Sequence, residues 1–133
     1  MIDDIHVSVR SDADIVTARQ KGRALAAELG FSTVDLAMVA TAISELARNV
    51  VLYAEPGEII LSVAVNALGK RGIVVVARDD GPGIQDVDRA MQSGYSTSGG
   101  LGLGLPGVRR LMDDFQIVSQ AGKGTIVTAK KWT

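Results

Sequence analysis

Ile15, Ala18, Gly22, Leu25 and Leu29 recur at three- and four-residue spacing, which predicts a helix with one buried face. Ser11 precedes it, Asp12 and Asp14 fall in its first turn, and Gly30 follows its last apolar residue. These are the residue types that start and stop helices. A second helix is predicted from Ser32 or Thr33 to about Tyr53. Its stripe is Leu36, Val39, Ala40, Ile43, Ala47 and Val50, and Pro56-Gly57 ends the unit. Elsewhere the period shortens to two. Ile5-His6-Val7-Ser8-Val9 reads as a short strand. Glu58 to Val65 and Ile73 to Ala77 read as a β-hairpin joined by a polar turn from Asn66 to Gly72. Pro106 suits the first turn of a third helix carrying Val108, Leu111 and Met112. Phe115 to Ser119 and Thr125 to Lys131 are two further strands, joined through Gly122-Lys123-Gly124. This order predicts an α/β two-layer sandwich: one mixed, mostly antiparallel sheet with helices on one face. No repeat or composition break divides it, so residues 1–133 read as a single domain.

Composition narrows the function classes. With 133 residues and 47% hydrophobic content, the chain can bury a real core. Its 14 basic and 15 acidic residues leave a net charge of −1. Without a basic stripe, nucleic acid is not an expected partner. No uninterrupted apolar run approaches the roughly 18 residues of a membrane span, so no membrane partner is expected. Met1-Ile2-Asp3-Asp4 does not resemble a signal peptide. There is no cysteine, which excludes disulfides and thiolate metal sites and fits a cytoplasmic setting. The single histidine, His6, cannot build a histidine metal site and reads as a strand surface residue.

Three segments carry candidate chemistry. Glu45 and Asn49 lie four apart on the second helix, on one face, beside the apolar stripe where a pocket would open. An Asn oxygen is a hard neutral ligand suited to Mg²⁺. A carboxylate one turn earlier can act as a general base. The same pair also fits an ordinary polar helix face. Asp79 ends a strand and begins Asp79-x-Gly81-x-Gly83, followed by Ile84. A carboxylate there can accept from an adenine amine while the glycines let backbone approach the base. A tight turn would use the same letters. Asp80 reads as a supporting or solvent residue. The run Gly99-Gly100-Leu101-Gly102-Leu103-Gly104-Leu105 offers N–H groups to phosphates, with the start of the third helix aimed at the same anion. An unliganded loop is the alternative. Residues 81 to 107 hold eight of the chain's 15 glycines, which marks a functional loop within the domain. Gly102-x-Gly104-x-x-Gly107 also matches the dinucleotide fingerprint. However, no strand precedes it and no acidic residue stands near 120 to 127, so that reading is rejected.

Taken in this order, the segments resemble the asparagine box and two glycine boxes of the GHKL superfamily, the ATP sites of gyrases, heat-shock chaperones, histidine kinases and mismatch-repair ATPases. Gly124-Thr125 resembles the late Gly-Thr box. The stretches from Thr41 to Asn49 and from Gly94 to Phe115 are similar to the small serine/threonine switch kinases of the bacterial stressosome, relatives of the anti-sigma-factor kinases. The resemblance covers nearly the whole chain. It implies a GHKL (Bergerat) ATP-binding fold, ATP and Mg²⁺ as cofactors, Glu45 as the catalytic residue and Asn49 as the metal ligand. It implies nucleotide contacts by Asn49, Asp79, Gly81, Gly83, Ile84, Gly99, Gly100, Leu101, Gly102, Leu103, Gly104 and Thr125, with the Thr125 hydroxyl near Asp79. It further implies phosphorylation of STAS-domain proteins of a stressosome and, on release, activation of a PP2C-type phosphatase or another effector. Other readings are an anti-sigma factor or a nucleotide-gated binding module. A detached histidine-kinase domain would need a phosphoacceptor histidine on a helix, which His6 is not. Arg109, Arg110 and Lys123 are candidates to meet the γ-phosphate. Arg48 is expected to point away from Glu45 and Asn49.

Overall fold

The computed structural model describes residues 4–54, 56–83, 91 and 104–133. The chain runs β1 (Ile5–Val9), α1 (Asp12–Leu29), α2 (Thr33–Tyr53), β2 (Gly57–Val65), β3 (Arg71–Asp79), α3 (Gly104–Leu111), β4 (Asp114–Gln120) and β5 (Gly124–Trp132). The strands form one sheet in the order β1-β2-β3-β5-β4, and every pairing among the described residues is antiparallel.

Local chemistry sets the helix ends. The Asp14 carboxylate accepts from the backbone N–H groups of Arg10 and Ser11 at 2.9 and 3.2 Å, satisfying donors at the start of α1. Gly30 closes α1 at φ +91°, where the N–H groups of Gly30 and Phe31 reach back to Ala27 and Ala26. Ser32 caps α2 by accepting from the Asp35 N–H at 3.2 Å. Between β2 and β3 the Asn66 side chain accepts from the N–H groups of Leu68 and Lys70, and Gly69 supplies the positive φ the turn requires.

The core lies between the sheet and α1 and α2. Val39, Ile43, Leu46 and Val50 of α2 meet Ile59, Leu61, Ile73, Val75, Val127 and Ala129 of the sheet. Gly22 lets α1 cross α2 closely, since a Cβ there would collide with the Ile43 side chain. By length and mean hydropathy, 1.3, α2 could cross a bilayer. Asp35, Glu45 and Arg48 keep it from being a continuous apolar run, and its apolar side is buried in this core. The strands extend past the alternating stretches that predict them. β3 begins at Arg71 and ends at Asp79, because pairing with β2 continues from Val65↔Arg71 to Gly57↔Asp79. Backbone pairing does not need an apolar side chain at every position.

α3 packs across α2, burying Leu105 and Val108. Its far end is closed by Lys131, 8% exposed, whose ammonium donates to the Leu111 carbonyl at 2.9 Å. A cation at a helix C-terminus meets both an orphan carbonyl and the negative end of the dipole.

Candidate functional site

The register brings four residues into one row across one end of the sheet. Gly57 faces Asp79, Asp79 faces Thr125, and Thr125 faces Ser119. Opposed residues of an antiparallel pair project to the same face. Here that is the helix-bearing face, shared with buried Ala77 and Val127.

Close approaches at three glycines hold this row together, two of them against the end of α2. A Cβ on Gly57 would lie 2.5 Å from the Val50 side chain. One on Gly81 would lie 2.8 Å from the Ala54 backbone. One on Gly124, at φ +106°, would run into the Asp79 carbonyl. Each neighbour in the last two cases is backbone, which cannot swing aside, so contact requires glycine at both, and at Gly124 the positive φ requires it as well. The turn after β3 is clasped from the other side: the Gly122 N–H donates to the Pro82 carbonyl at 2.7 Å, and a Cβ on Gly83 would strike Gln120.

Asp79 is the electrostatic centre of the row. Burial pushes its carboxyl above the ordinary value of 3.8, and Asp80 adds repulsion in the same direction. The backbone N–H groups of Gly81 and Thr125 pull it partly back, the Gly81 bond being 2.9 Å. The outcome is a half-buried acceptor whose orientation the Gly81 N–H fixes, suited to a ligand N–H. Asp80 itself is exposed. Thr125 is 7% exposed, and its hydroxyl lies 2.8 Å from the Ser119 hydroxyl.

Glu45 and Asn49 lie on α2 just before Val50 and Ala54, the residues that meet Gly57 and Gly81. Glu45 differs from the expected rim position: it is only 2% exposed. The reason is α3, which covers a face that α2 alone would leave to solvent. The Gly104 N–H, at the start of α3, donates to Glu45 Oε2 at 3.3 Å. Arg48 Nη1 donates to Oε1 at 3.2 Å. The expectation that Arg48 points away is therefore corrected, and its i,i+3 spacing from Glu45 was the available signal. Two donors on different oxygens fix the plane of the carboxylate. Asn49 is half-buried one turn on.

Of the other expected site residues, Gly81 and Thr125 meet Asp79, Gly104 meets Glu45, and Gly83 lies against Gln120. Ile84, Gly99, Gly100, Leu101, Gly102 and Leu103 lie outside the described residues. Arg109, Arg110 and Lys123 are exposed. Ser119, which the sequence reading does not single out, joins the site only because β5 lies between β3 and β4.

Among the described residues, no group of three His, Cys, Asp or Glu side chains is assembled that could hold a metal by itself. Asn49 fits a smaller role, one neutral oxygen for an ion that takes its remaining ligands from water and phosphate, as Mg²⁺ does.

With this geometry in view, comparison with known proteins is informative. Residues 9–131 match the model of the histidine kinase-like ATPase domain. The chain is 54% identical to the serine/threonine-protein kinase RsbT of Bacillus subtilis, over 99% of this chain and 98% of that one. It is 32% identical to the anti-sigma F factor of Caldanaerobacter subterraneus, over 86% of this chain and 82% of the relative. Among solved structures it superposes on full-length ShkA in complex with AMPPNP with a TM-score of 0.56 and 22% identity. That match covers 95% of this chain and 31% of ShkA, and it speaks to the fold alone.

Proposed function

Because the chain belongs to the histidine kinase-like ATPase domain family, we propose that its site binds Mg·ATP and passes the terminal phosphoryl group to a serine or threonine of a partner protein. The observation that supports this reading is that Asp79 and Thr125 face each other at the sheet end that packs against Val50 and Ala54, next along α2 from Glu45 and Asn49. On this reading Asp79 serves the adenine and the Glu45–Asn49 pair serves the phosphates of one nucleotide. The 54% identity to a serine/threonine-protein kinase over nearly all of both chains supports the reaction.

The roles follow from the chemistry of each group. Asp79 accepts from the exocyclic amine of adenine, and the Gly81 and Thr125 N–H groups hold it ready to do so. Asn49 supplies an oxygen to Mg²⁺, which when bound offsets charge on the phosphates. Glu45 orients the incoming hydroxyl and takes its proton. Arg48 and the Gly104 N–H keep that carboxylate in one plane as α3 closes over it. Positioning and electrostatics carry most of the work in phosphoryl transfer.

The substrates proposed are STAS-domain proteins of a stressosome-type scaffold in the cytoplasm. Phosphorylation would lower affinity for them, and the freed kinase would engage a PP2C-type phosphatase or another effector. These partners rest on the resemblance to switch kinases. The likeness to anti-sigma F factor supports a second reading, in which the same nucleotide site gates capture of a sigma factor. Pull-down with a purified STAS-domain protein and with a sigma factor, each in ATP and in ADP, separates the two. Retention of the STAS protein alone fits the switch kinase. Retention of the sigma factor alone would replace that reading with the anti-sigma one.

A further inference from the structure

We propose that Lys131 is a positioning residue for phosphoryl transfer: from the far end of α3 it fixes the helix whose first N–H aims the Glu45 carboxylate. This deepens the kinase reading and rests on it.

Among the described residues, Glu45 and Lys131 are the charged side chains that are buried, at 2% and 8% exposure. Both hold the same helix, one at each end. Glu45 Oε2 accepts from the Gly104 N–H at 3.3 Å, and the Lys131 ammonium donates to the Leu111 carbonyl at 2.9 Å. The signs suit the helix dipole, with the carboxylate at the N-terminus and the cation at the C-terminus.

α3 has little of its own to hold it. Its eight residues are fewer than a helix needs to be stable alone, and two of them are Gly104 and Gly107. Leu103 precedes it and Met112 follows it, so neither flanking residue is one that caps a helix. Leu105 and Val108 pack its side against α2. Two charges remote in sequence do the capping instead. The proposed base thus doubles as the N-terminal cap of α3, and the position of α3 decides which way Oε2 faces.

Lys131 is a firm point from which to set that position, because its strand is held on both sides. It pairs with Ile73 of β3. Toward β4, the Asp113 N–H donates to the Lys130 carbonyl and the Trp132 N–H donates to Asp113 Oδ2, both at 2.8 Å. Asp113 Oδ1 also lies 4.0 Å from the Lys131 ammonium. Without that ammonium the Leu111 carbonyl loses its donor and the last turn of α3 loosens. A helix of two turns passes such a change to its first residue, and Gly104 shifts against Glu45.

The test uses the full chain and measures single-turnover transfer from Mg·ATP to a purified STAS-domain protein, with ATP affinity titrated separately. Lys131→Met keeps the apolar stem. It is expected to slow transfer about 10- to 100-fold, the scale of a misplacement of about 1 Å, and to leave ATP affinity nearly unchanged. Lys131→Arg, which keeps a cation and its donors, is expected to restore most of the rate. In a Glu45→Ala background, Lys131→Met should bring no further slowing, because the group it positions is gone. Without any partner, Lys131→Met should speed hydrogen exchange of the Gly104 amide, read by NMR. Slowing by the same factor with and without Glu45 would mark a merely structural lysine and would overturn the proposal. So would a Lys131→Met chain that transfers at the wild-type rate, or one whose Gly104 amide stays as protected as in wild type. A wild-type chain that binds ATP and transfers nothing would overturn the kinase reading itself, a distinct result.

Discussion

Replacing Asp79 by Asn should move nucleotide affinity and protein stability apart. The exchange keeps the shape and removes the charge. In the wild type, the Gly81 and Thr125 N–H groups point at the carboxylate, so an Asn oxygen must face them and its NH₂ must face the ligand. That NH₂ meets an adenine amine, donor against donor. The loss is one hydrogen bond to a charged group, about 1.5–3 kcal/mol, or about a tenfold to 150-fold rise in Kd. Stability goes the other way. The folded-state pKa of Asp79 lies above its unfolded value because burial penalises the ionised form. Such a group contributes its full stability below the unfolded pKa of 3.8 and loses it as pH rises through the folded pKa. At pH 7 the ionised carboxylate is therefore a cost. Asp79→Asn should leave the melting temperature unchanged or raise it. Calorimetric titration with Mg·ATP and thermal unfolding without nucleotide give the two numbers. The same raised pKa predicts that wild-type ATP affinity falls on acidification at a higher pH than an exposed aspartate would allow, whereas the Asn variant is flat there. An Asn variant that binds ATP within twofold of wild type would refute the assignment of Asp79 to the base. One that melts well below wild type would refute the claim that this carboxylate is held at a cost.

Gly124→Ala should destabilise the chain by at least about 2 kcal/mol, since it combines a strained positive φ with a collision against the Asp79 backbone; urea unfolding measures it, and ATP affinity should fall with it. Arg48→Ala removes one of the two donors described on the buried Glu45 and should cost about 1–2 kcal/mol, discounted because the arginine is 33% exposed. Its phosphate-transfer rate should drop more than its ATP affinity, which single-turnover kinetics separates from binding. Lys131→Met keeps the buried stem but loses the bond to the Leu111 carbonyl, and should lower stability by about 1 kcal/mol in the same urea assay.

The helices were legible in the sequence because their ends carry the groups that make ends: Asp14 beneath Ser11, Ser32 before Thr33, and Gly30 at a positive φ. Strand cores were equally visible, while strand ends were not. Arg71 and Gly72, expected in the turn, extend β3 through backbone pairing with β2, which no side-chain alternation announces. The letters of the site were visible, but its depth was not. Glu45 sits on a face of α2 that reads as a rim until α3, beginning nearly sixty residues later, is laid over it. Ser119 and Lys131 depend on β5 lying beside both β3 and β4, a matter of sheet order, and a single sequence does not display that order. Arg48 was within reach, since its spacing from Glu45 is one that helices use.

The central claim is that this site transfers phosphate with Glu45 as the base. The direct measurement incubates the chain with Mg·ATP and a purified STAS-domain protein, and follows phosphate on that protein by intact mass, for wild type and Glu45→Ala. The account predicts one serine- or threonine-linked phosphate from wild type, and from Glu45→Ala a rate lower by about 10²–10⁴ with ATP binding retained. Transfer by Glu45→Ala at the wild-type rate would contradict the role given to Glu45. No transfer by a wild-type chain that binds ATP would contradict the kinase account itself.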